Sequence, residues 1–467
     1  MTPQIVHGDG LDAAALQALK GRFRGDLIGP DDSAYDQARR VQNGMIDKRP
    51  VLIARAVDAG DVIAAVAFGR DLGLAIAVRC GGHSGPGFGT IDDGLVIDLS
   101  RMRGVRVDPV ERTARVDGGA QLGDVDHATH AFGLATPAGI LSTTGVGGLT
   151  LGGGIGHLTR KLGLAIDNLI EADVVLASGE LVRADEKTNS DLYWAIRGGG
   201  GNFGIVTSFL FRLHPVDTVI AGPVLYDLGQ SEAVMRWWQD FIGQAPEELN
   251  GFFAFLTVPP APPFPSELHM RKMAGVAWTY AGPADKADKV LAPVKAFGRP
   301  ALVGLAPLPL PAWQAAFDAL YPGGTQMYWR ADFMNTFPDQ AIALHAKHGA
   351  LLPTLQSGMH VYPIDGAAAR VGAGETAWSQ RDVRFAQVVL GADADPANAG
   401  LIRDWTVTYS DALHPFSAGG AYLNFIMDEG QERVRSTYRD NYDRLARIKG
   451  HYDPENVFHV NQNIRPV

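Results

Sequence analysis

Three glycine runs dominate the chemistry this chain can offer: GGHSGPGFG from Gly81 to Gly89, GVGGLTLGGGIG from Gly145 to Gly156, and GGGGNFG from Gly198 to Gly204. A residue without a side chain lets another group approach the backbone and tolerates positive φ, so each run can present amide N–H groups to a phosphate. Three such loops in one half of the chain point to one nucleotide cofactor more economically than to three unrelated turns. His83 lies inside the first run, where a flat ring could reach its imidazole. The only cysteine is Cys80. One thiol excludes an internal disulfide and a thiolate-rich zinc or iron–sulfur site, so no metal is expected and redox chemistry must sit on a bound organic cofactor or elsewhere. The runs fit a nicotinamide-type G-x-G-x-x-G poorly, and a G-x-x-x-x-G-K-[ST] phosphate loop is absent.

These loops need a scaffold. The 467 residues, 46% hydrophobic and 20% charged, predict a globular protein of two or three lobes. Neither a disordered chain nor a collagen fits that balance. With 41 Lys+Arg against 51 Asp+Glu the net charge is −10, which argues against a nucleic-acid partner. No apolar window is long enough for a membrane span, and the opening MTPQIVHGDGLDAAAL lacks a basic stretch followed by an apolar run, so a cytoplasmic enzyme is expected. Asp61–Leu72 repeats apolar residues at helical spacing, and Leu74–Val78 reads as a strand that delivers the first glycine run. Further strands are expected at Leu95–Leu99, Thr113–Asp117, Ala172–Leu176 and Ile205–Leu213, with helices at Leu122–Phe132 and Ser190–Arg197.

From about Val216 to Gly420 the character changes. Most prolines fall here, and PPAPPFP (Pro259 to Pro265) and PLPLP (Pro307 to Pro311) read as loops because Pro lacks an amide proton. Amphipathic helices at Ser231–Gly243 and Ala284–Phe297 alternate with strands at Gly251–Val258, Ala274–Tyr280, Ser357–Ile364 and Val383–Leu390. The last stretch, Asp428–Val467, reads as a helix with a charged face followed by the loop YDPENVFHVNQNI.

Taken in order, Val78-Arg79-Cys80-Gly81-Gly82-His83-Ser84, Thr136-Pro137-Ala138-Gly139, Thr144-Gly145-Val146-Gly147-Gly148, Gly152 to Gly156, Asp167-Asn168 and Arg197 to Gly204 resemble the FAD domain of the berberine-bridge-enzyme-like flavoprotein oxidases, in the wider vanillyl-alcohol-oxidase class. Tyr422-Leu423-Asn424, the segment Tyr452 to Phe458 and Gln462-Asn463-Ile464 extend the resemblance to the C-terminus. It is nearest to bacterial members such as 6-hydroxynicotine oxidase and polyketide-tailoring oxidases. The resemblance implies an α+β, two-domain PCMH-type FAD-binding fold. Residues 1–216 would form the N-terminal part of the FAD-binding domain, 217–420 a substrate domain built on an antiparallel sheet covered by helices, and 421–467 a segment returning to the FAD domain.

The implied activity is oxidation of a small organic substrate (an alcohol, sugar lactol, amine or natural-product intermediate) by hydride transfer to flavin, with dioxygen as acceptor. A tailoring oxygenase, a dehydrogenase and a non-catalytic flavin-binding relative stay open, as does a homodimer. In the family the His of R-x-G-G-H-S is joined to the flavin 8α-methyl carbon, which carries over to His83. Relatives with a second bond use a Cys three positions before the residue matching Thr144. Here that position is Leu141, so a single covalent bond is expected. The remaining cofactor contacts carried over are Arg79, Cys80, Gly81, Gly82, Ser84, Thr144, Gly145, Gly147 and Gly148 around the pyrophosphate, Gly153, Gly154, Ile205 and Val206 beside the rings and adenosine, and Asn424 and Asn463 closing over the flavin. For Asp167 and Asn168 a turn or capping role is as good a reading. A small residue at Thr144 accompanies oxidases.

Two bases familiar in the family are missing: Gln387 stands at the apparent place of a Glu, and Phe425 where some relatives have a Tyr. The remaining candidates are Tyr422, His360 and Tyr362, the last two alternating onto one face of their strand. His titrates nearest neutrality, although His360 as an ordinary strand residue is an equal reading. Among the aromatic residues Trp237, Trp238, Trp313, Tyr328, Trp329 and Trp405, Tyr328 and Trp329 are the preferred substrate-pocket candidates.

Overall fold

Asp58 sets the start of the first long helix. Its carboxylate accepts the Asp61 N–H at 3.0 Å, and the helix runs Ala59–Asp71 with Val62, Ala65 and Val66 fully buried. That face packs on a four-stranded sheet ordered Asp26–Ile28, Leu52–Arg55, Leu95–Asp98, Ile76–Arg79, in which the last three strands are parallel. The Ile76–Arg79 strand ends at the first glycine run, as its sequence implied. The computed structural model describes residues 11–467, so the first ten, part of the opening stretch read above, lie outside it.

A second sheet of five antiparallel strands follows, ordered Val105–Asp108, Thr113–Asp117, Ile205–Arg212, Leu169–Val175, Leu181–Asp185. Helices Leu122–His130 and Ser190–Ile196 lie close to their expected positions. The third sheet has eight strands and is antiparallel throughout. Its main path runs Leu302–Val303, Thr218–Asp227, Lys272–Tyr280, Leu249–Thr257, Gly358–Pro363, Phe385–Asp393, Gln326–Met334, and Ala306–Pro309 pairs beside Leu302–Val303 on Thr218–Asp227. PLPLP is therefore not a loop. It forms a short edge strand, which needs ladder bonds on one side only, and then enters the helix Leu310–Gln314 with Pro311 in the first turn, where an amide has no intrahelical acceptor.

The period of two along this sheet decides what faces what. On one side Phe253, Val276, Met359, Val361, Phe385 and Val389 bury under helices Ser231–Ile242, Ala287–Ala296, Asp339–Gly349 and Ala399–Leu413. Val234, Met235, Trp238 and Ile242 are the buried stripe of the first of these, each such side chain contributing roughly 1.5–3 kcal/mol. The other side of the sheet, with Phe252, Ala331, Tyr362, Ala386 and Val388, joins one core with the five-stranded sheet. The fold is thus the α+β architecture expected, with helices covering an antiparallel sheet. No helix among the described residues is long and apolar enough to cross a membrane.

The charged-face region divides into two helices, Gln431–Tyr438 and Tyr442–Tyr452. From the second, Lys449 donates to Asp453 at 2.6 Å, to the Asn202 carbonyl at 2.6 Å and to the Phe458 carbonyl at 2.9 Å, with both members of the ion pair fully buried. Asn202 in turn accepts the Ile464 N–H and donates to the Gln462 carbonyl. The C-terminal loop is thereby clipped to the third glycine run. Replacing Lys449 by Met removes the cation and strands the Asp453 carboxylate; urea unfolding should show a loss of about 3–5 kcal/mol.

Candidate active site

Backbone meets backbone where the first two glycine runs touch. A Cβ on Gly81 would stand 2.4 Å from the Gly145 nitrogen, and one on Gly145 would stand 2.3 Å from the Gly81 nitrogen. Only glycine permits this approach. Gly148 and Gly201 are different: an added Cβ would meet nothing within 4 Å, and both border one cavity. All three runs contribute to its wall, with Ile205 and Val206 alongside and Phe458, Asn461 and Gln462 from the C-terminal loop. The side-chain-free floor is a cradle that fits the pyrophosphate and flat rings of FAD.

The His83 side chain borders this cavity. Burial pushes its pKa down to about 4, partly opposed by the Asp318 carboxylate, so the imidazole is neutral with a free lone pair near pH 7. Cys80 has the opposite character: its thiol donates to the Ala120 carbonyl at 3.4 Å, and burial pushes its pKa up to about 11. Leu141 borders the cavity where a second linking thiol would be needed. Arg79 is buried and donates to Asp98 at 2.7 Å and to the Arg40 carbonyl at 3.2 Å, so its charge braces the loop from behind. Gly82, Ser84, Thr144 and Gly147 also border the cavity. Asn43 ties the first glycine run to the sheet, donating to the Gly85 and Met327 carbonyls and accepting the Met327 N–H. Nothing in its local sequence signals that role.

The opposite wall comes from the eight-stranded sheet. His360 and Tyr362 share the cavity-facing side of their strand, the tyrosine hydroxyl 2.9 Å from His360 Nδ1. Burial pushes His360 down to about 4 and the Tyr362 hydroxyl well above its ordinary range. Tyr422 also reaches the cavity, and its hydroxyl oxygen accepts from the Gly154 N–H at 3.0 Å, the Ile155 N–H at 3.3 Å and Asn424 Nδ2 at 2.9 Å. Its pKa is raised by burial, against the pull of those donors. Phe425 lies between the tyrosines, its ring centroid 5.7 Å from that of Tyr362 and 4.7 Å from that of Tyr422.

Several residues read from the sequence lie off this wall. Gly153 and Gly154 do not border the cavity; their positive-φ turn, at 126° and 84°, directs amides toward Tyr422 instead. Asn463 lies behind its cavity-lining neighbours Asn461 and Gln462, and Asn424 borders the cavity while its side chain also donates to the Leu149 carbonyl. Tyr328 alternates away from the cavity, its hydroxyl accepting from Arg330, whereas Trp329 faces in. Gln387 is the sharpest correction. It shares strand parity with Phe385 and Val389 and meets His345 under the helices, so the cavity-facing positions of that strand are Val388 and Leu390. Even a Glu at position 387 would look away from the cavity. Asp167 accepts the Leu164 N–H at 2.9 Å and Asn168 donates to the Leu162 and Leu164 carbonyls, so both serve the turn, while a bidentate pair from the distant Arg381 to Asp167 at 2.7 and 2.9 Å ties that turn to the rest of the fold. Trp238 and Trp313 are core residues.

Residues 50–185 match the family described as FAD binding domain, and residues 421–465 the family described as berberine and berberine like. The chain is 30% identical to the uncharacterized FAD-linked oxidoreductase YgaK of Bacillus subtilis (strain 168), over 96% of this chain and 98% of the relative. It is 29% identical to (R)-6-hydroxynicotine oxidase of Paenarthrobacter nicotinovorans, over 95% and 97%. The crystal structure of 6-hydroxy-D-nicotine oxidase from Arthrobacter nicotinovorans superposes with a TM-score of 0.85 at 27% identity, covering 95% of this chain and 98% of that one. Because a side chain at Gly148 would project into open cavity rather than into protein, Gly148→Leu should leave urea unfolding of the apoprotein unchanged. Measured in a His83→Ala background, where no bond to the histidine can form, its affinity for FAD, titrated by flavin fluorescence, should fall by roughly tenfold or more, about 1.4 kcal/mol.

Proposed function

The chain belongs to the FAD-linked oxidoreductases of the berberine-bridge-enzyme-like family, and from that premise we propose that it is an oxidase carrying FAD on a single covalent bond to His83. The observation that carries the reading is one cavity with two unlike walls: a glycine floor holding a neutral imidazole, and facing it the hydrogen-bonded pair His360 and Tyr362. Bound FAD supplies the hydride acceptor. His83 is suited to attachment because its lone pair is free at neutral pH, and the absence of any thiol at Leu141 leaves it as the sole linking residue. The division into 1–216, 217–420 and 421–467 follows the same reading, supported by the eight-stranded sheet falling within 218–393 and by the clip at Lys449.

Removing hydride from an alcohol or amine carbon requires a partner for the O–H or N–H proton, worth roughly 10²–10⁴ in rate. Tyr362 stays protonated across the ordinary range and donates to Nδ1 of neutral His360. A substrate proton arriving at the Tyr362 oxygen releases the tyrosine proton to Nδ1, so the pair acts as a relay with His360 as acceptor. Tyr422, its oxygen already engaged by three N–H donors, is held in place beside Phe425 and serves as a wall. Thr144, small and cavity-lining, leaves room for dioxygen to approach, which supports the oxidase over the dehydrogenase.

Flavin should stay on the polypeptide after acid precipitation of the wild type and be released from His83→Ala; release from both would remove the covalent bond from the reading. With a reducing substrate, His360→Gln and Tyr362→Phe should each slow anaerobic flavin bleaching by roughly 10²-fold with flavin still bound. The base works unprotonated, so the bleaching rate should be flat through neutrality and fall as the pH drops toward about 4. Stopped-flow mixing of reduced enzyme with air-saturated buffer should reoxidise it within seconds and yield peroxide; reoxidation over minutes would favour a dehydrogenase.

A further inference from the structure

Building on the reading of this cavity as a flavin site, we infer that its substrate is an uncharged, flat, mainly apolar molecule with one polar edge: an aromatic ring bearing a hydroxymethyl group, whose carbon carries the hydride, rather than a sugar or an ion. Charge is kept off the wall systematically. Among the described residues no Asp, Glu or Lys borders the cavity, and Arg79, the one Arg there, is committed to Asp98. The strand that brings Met327 and Trp329 to the wall also carries Arg330 and Asp332, but these alternate to the far side, where they pair with Glu429 and Arg433. An ionic substrate would lose its hydration and find no counter-charge.

The apolar surfaces complete the argument. Trp329, Val388, Leu390, Phe425 and Ile140 offer flat or branched hydrocarbon to whatever lies against the flavin. The polar atoms of His360 and Tyr362 are directed at each other and can serve one hydroxyl, and Trp329 Nε1 is buried with no hydrogen-bond partner, a donor for one acceptor. A saccharide ring presents a hydroxyl at almost every carbon, and most would be buried here unpaired. An aromatic ring with one hydroxymethyl group on its edge meets the His360–Tyr362 pair, leaves the Tyr321 hydroxyl beside it and Trp329 Nε1 as the further polar atoms of this wall, and covers the remainder with carbon.

The test is a binding comparison on the flavin-loaded protein under anaerobic conditions. 2-Naphthol, 2-naphthoate, 2-naphthylmethylammonium and cellobiose are titrated separately, with occupancy read from the shift of the flavin visible bands. 2-Naphthol should bind at least about tenfold more tightly than each of the other three. Cellobiose or either ion binding as tightly as 2-naphthol overturns the inference. Val388→Lys, with Leu390→Lys as the alternative should the first fail to fold, should reverse the order of 2-naphthol and 2-naphthoate while flavin content is retained; an unchanged order overturns the assignment of selectivity to this wall. 2-Naphthol and 2-naphthoate carry no hydrogen on the carbon beside their oxygen and serve as non-oxidisable analogues, so their occupancy is read without turnover; failure of the oxidase reading would show instead as the absence of bleaching by 2-naphthalenemethanol.

Discussion

The approach of Gly81 to Gly145 is the constraint on which the site is built. Two loops from different parts of the N-terminal half meet with no room for a methyl group between them, 2.4 Å from a would-be Cβ to the opposing nitrogen. The Cys80 sulfur is packed into the same closure, 2.5 Å from where a Cβ on Gly145 would stand and directed at the Ala120 carbonyl. The closure leaves Gly148 at the start of a short helix with nothing in front of it. A side chain at either closing position would force the loops apart, so at Gly81 and Gly145 glycine is a packing requirement before it is a binding one.

The second organising rule is the pleat. In the eight-stranded sheet one parity is spent on the helix-covered core and the other on the cavity, and this partition assigns chemistry with little freedom. It puts His360 and Tyr362 together on one face, turns Gln387 toward His345, and sends Arg330 and Asp332 to ion pairs on the outer side. Both the hydrogen-bonded pairing of His360 with Tyr362 and the neutrality of the wall come from the same alternation, because polar residues of the opposite parity have partners elsewhere.

How far the residues announced this arrangement depended on the range over which the signal acts. The glycine runs, the strand feeding the first of them and the pairing of His360 with Tyr362 are local, and they were legible. Gln387 faces the helices rather than the cavity, which the sequence alone does not reveal because the face of a strand inverts with a one-residue shift in frame. Tyr328 and Trp329, adjacent in the chain, could not both face one cavity, and only the register across to Gly391 and Leu390 tells which does. PLPLP reads as a loop because Pro lacks the amide that a ladder needs, and only the tertiary fold places it at an edge, where the strand has a partner on one side. Asn43, distant in sequence from every motif, gained its role from tertiary proximity alone.

The Lys449 clip makes the cradle a joint product of segments far apart in sequence. Asn202 of the third glycine run is secured by Lys449, Gln462 and Ile464, separated from it by 247, 260 and 262 positions. The same loop brings Phe458, Asn461 and Gln462 to the cavity wall. A chain cut ahead of Lys449 would keep the glycines and the histidine and lose that enclosure, so truncation there would cost the retention of a flavin and not only stability.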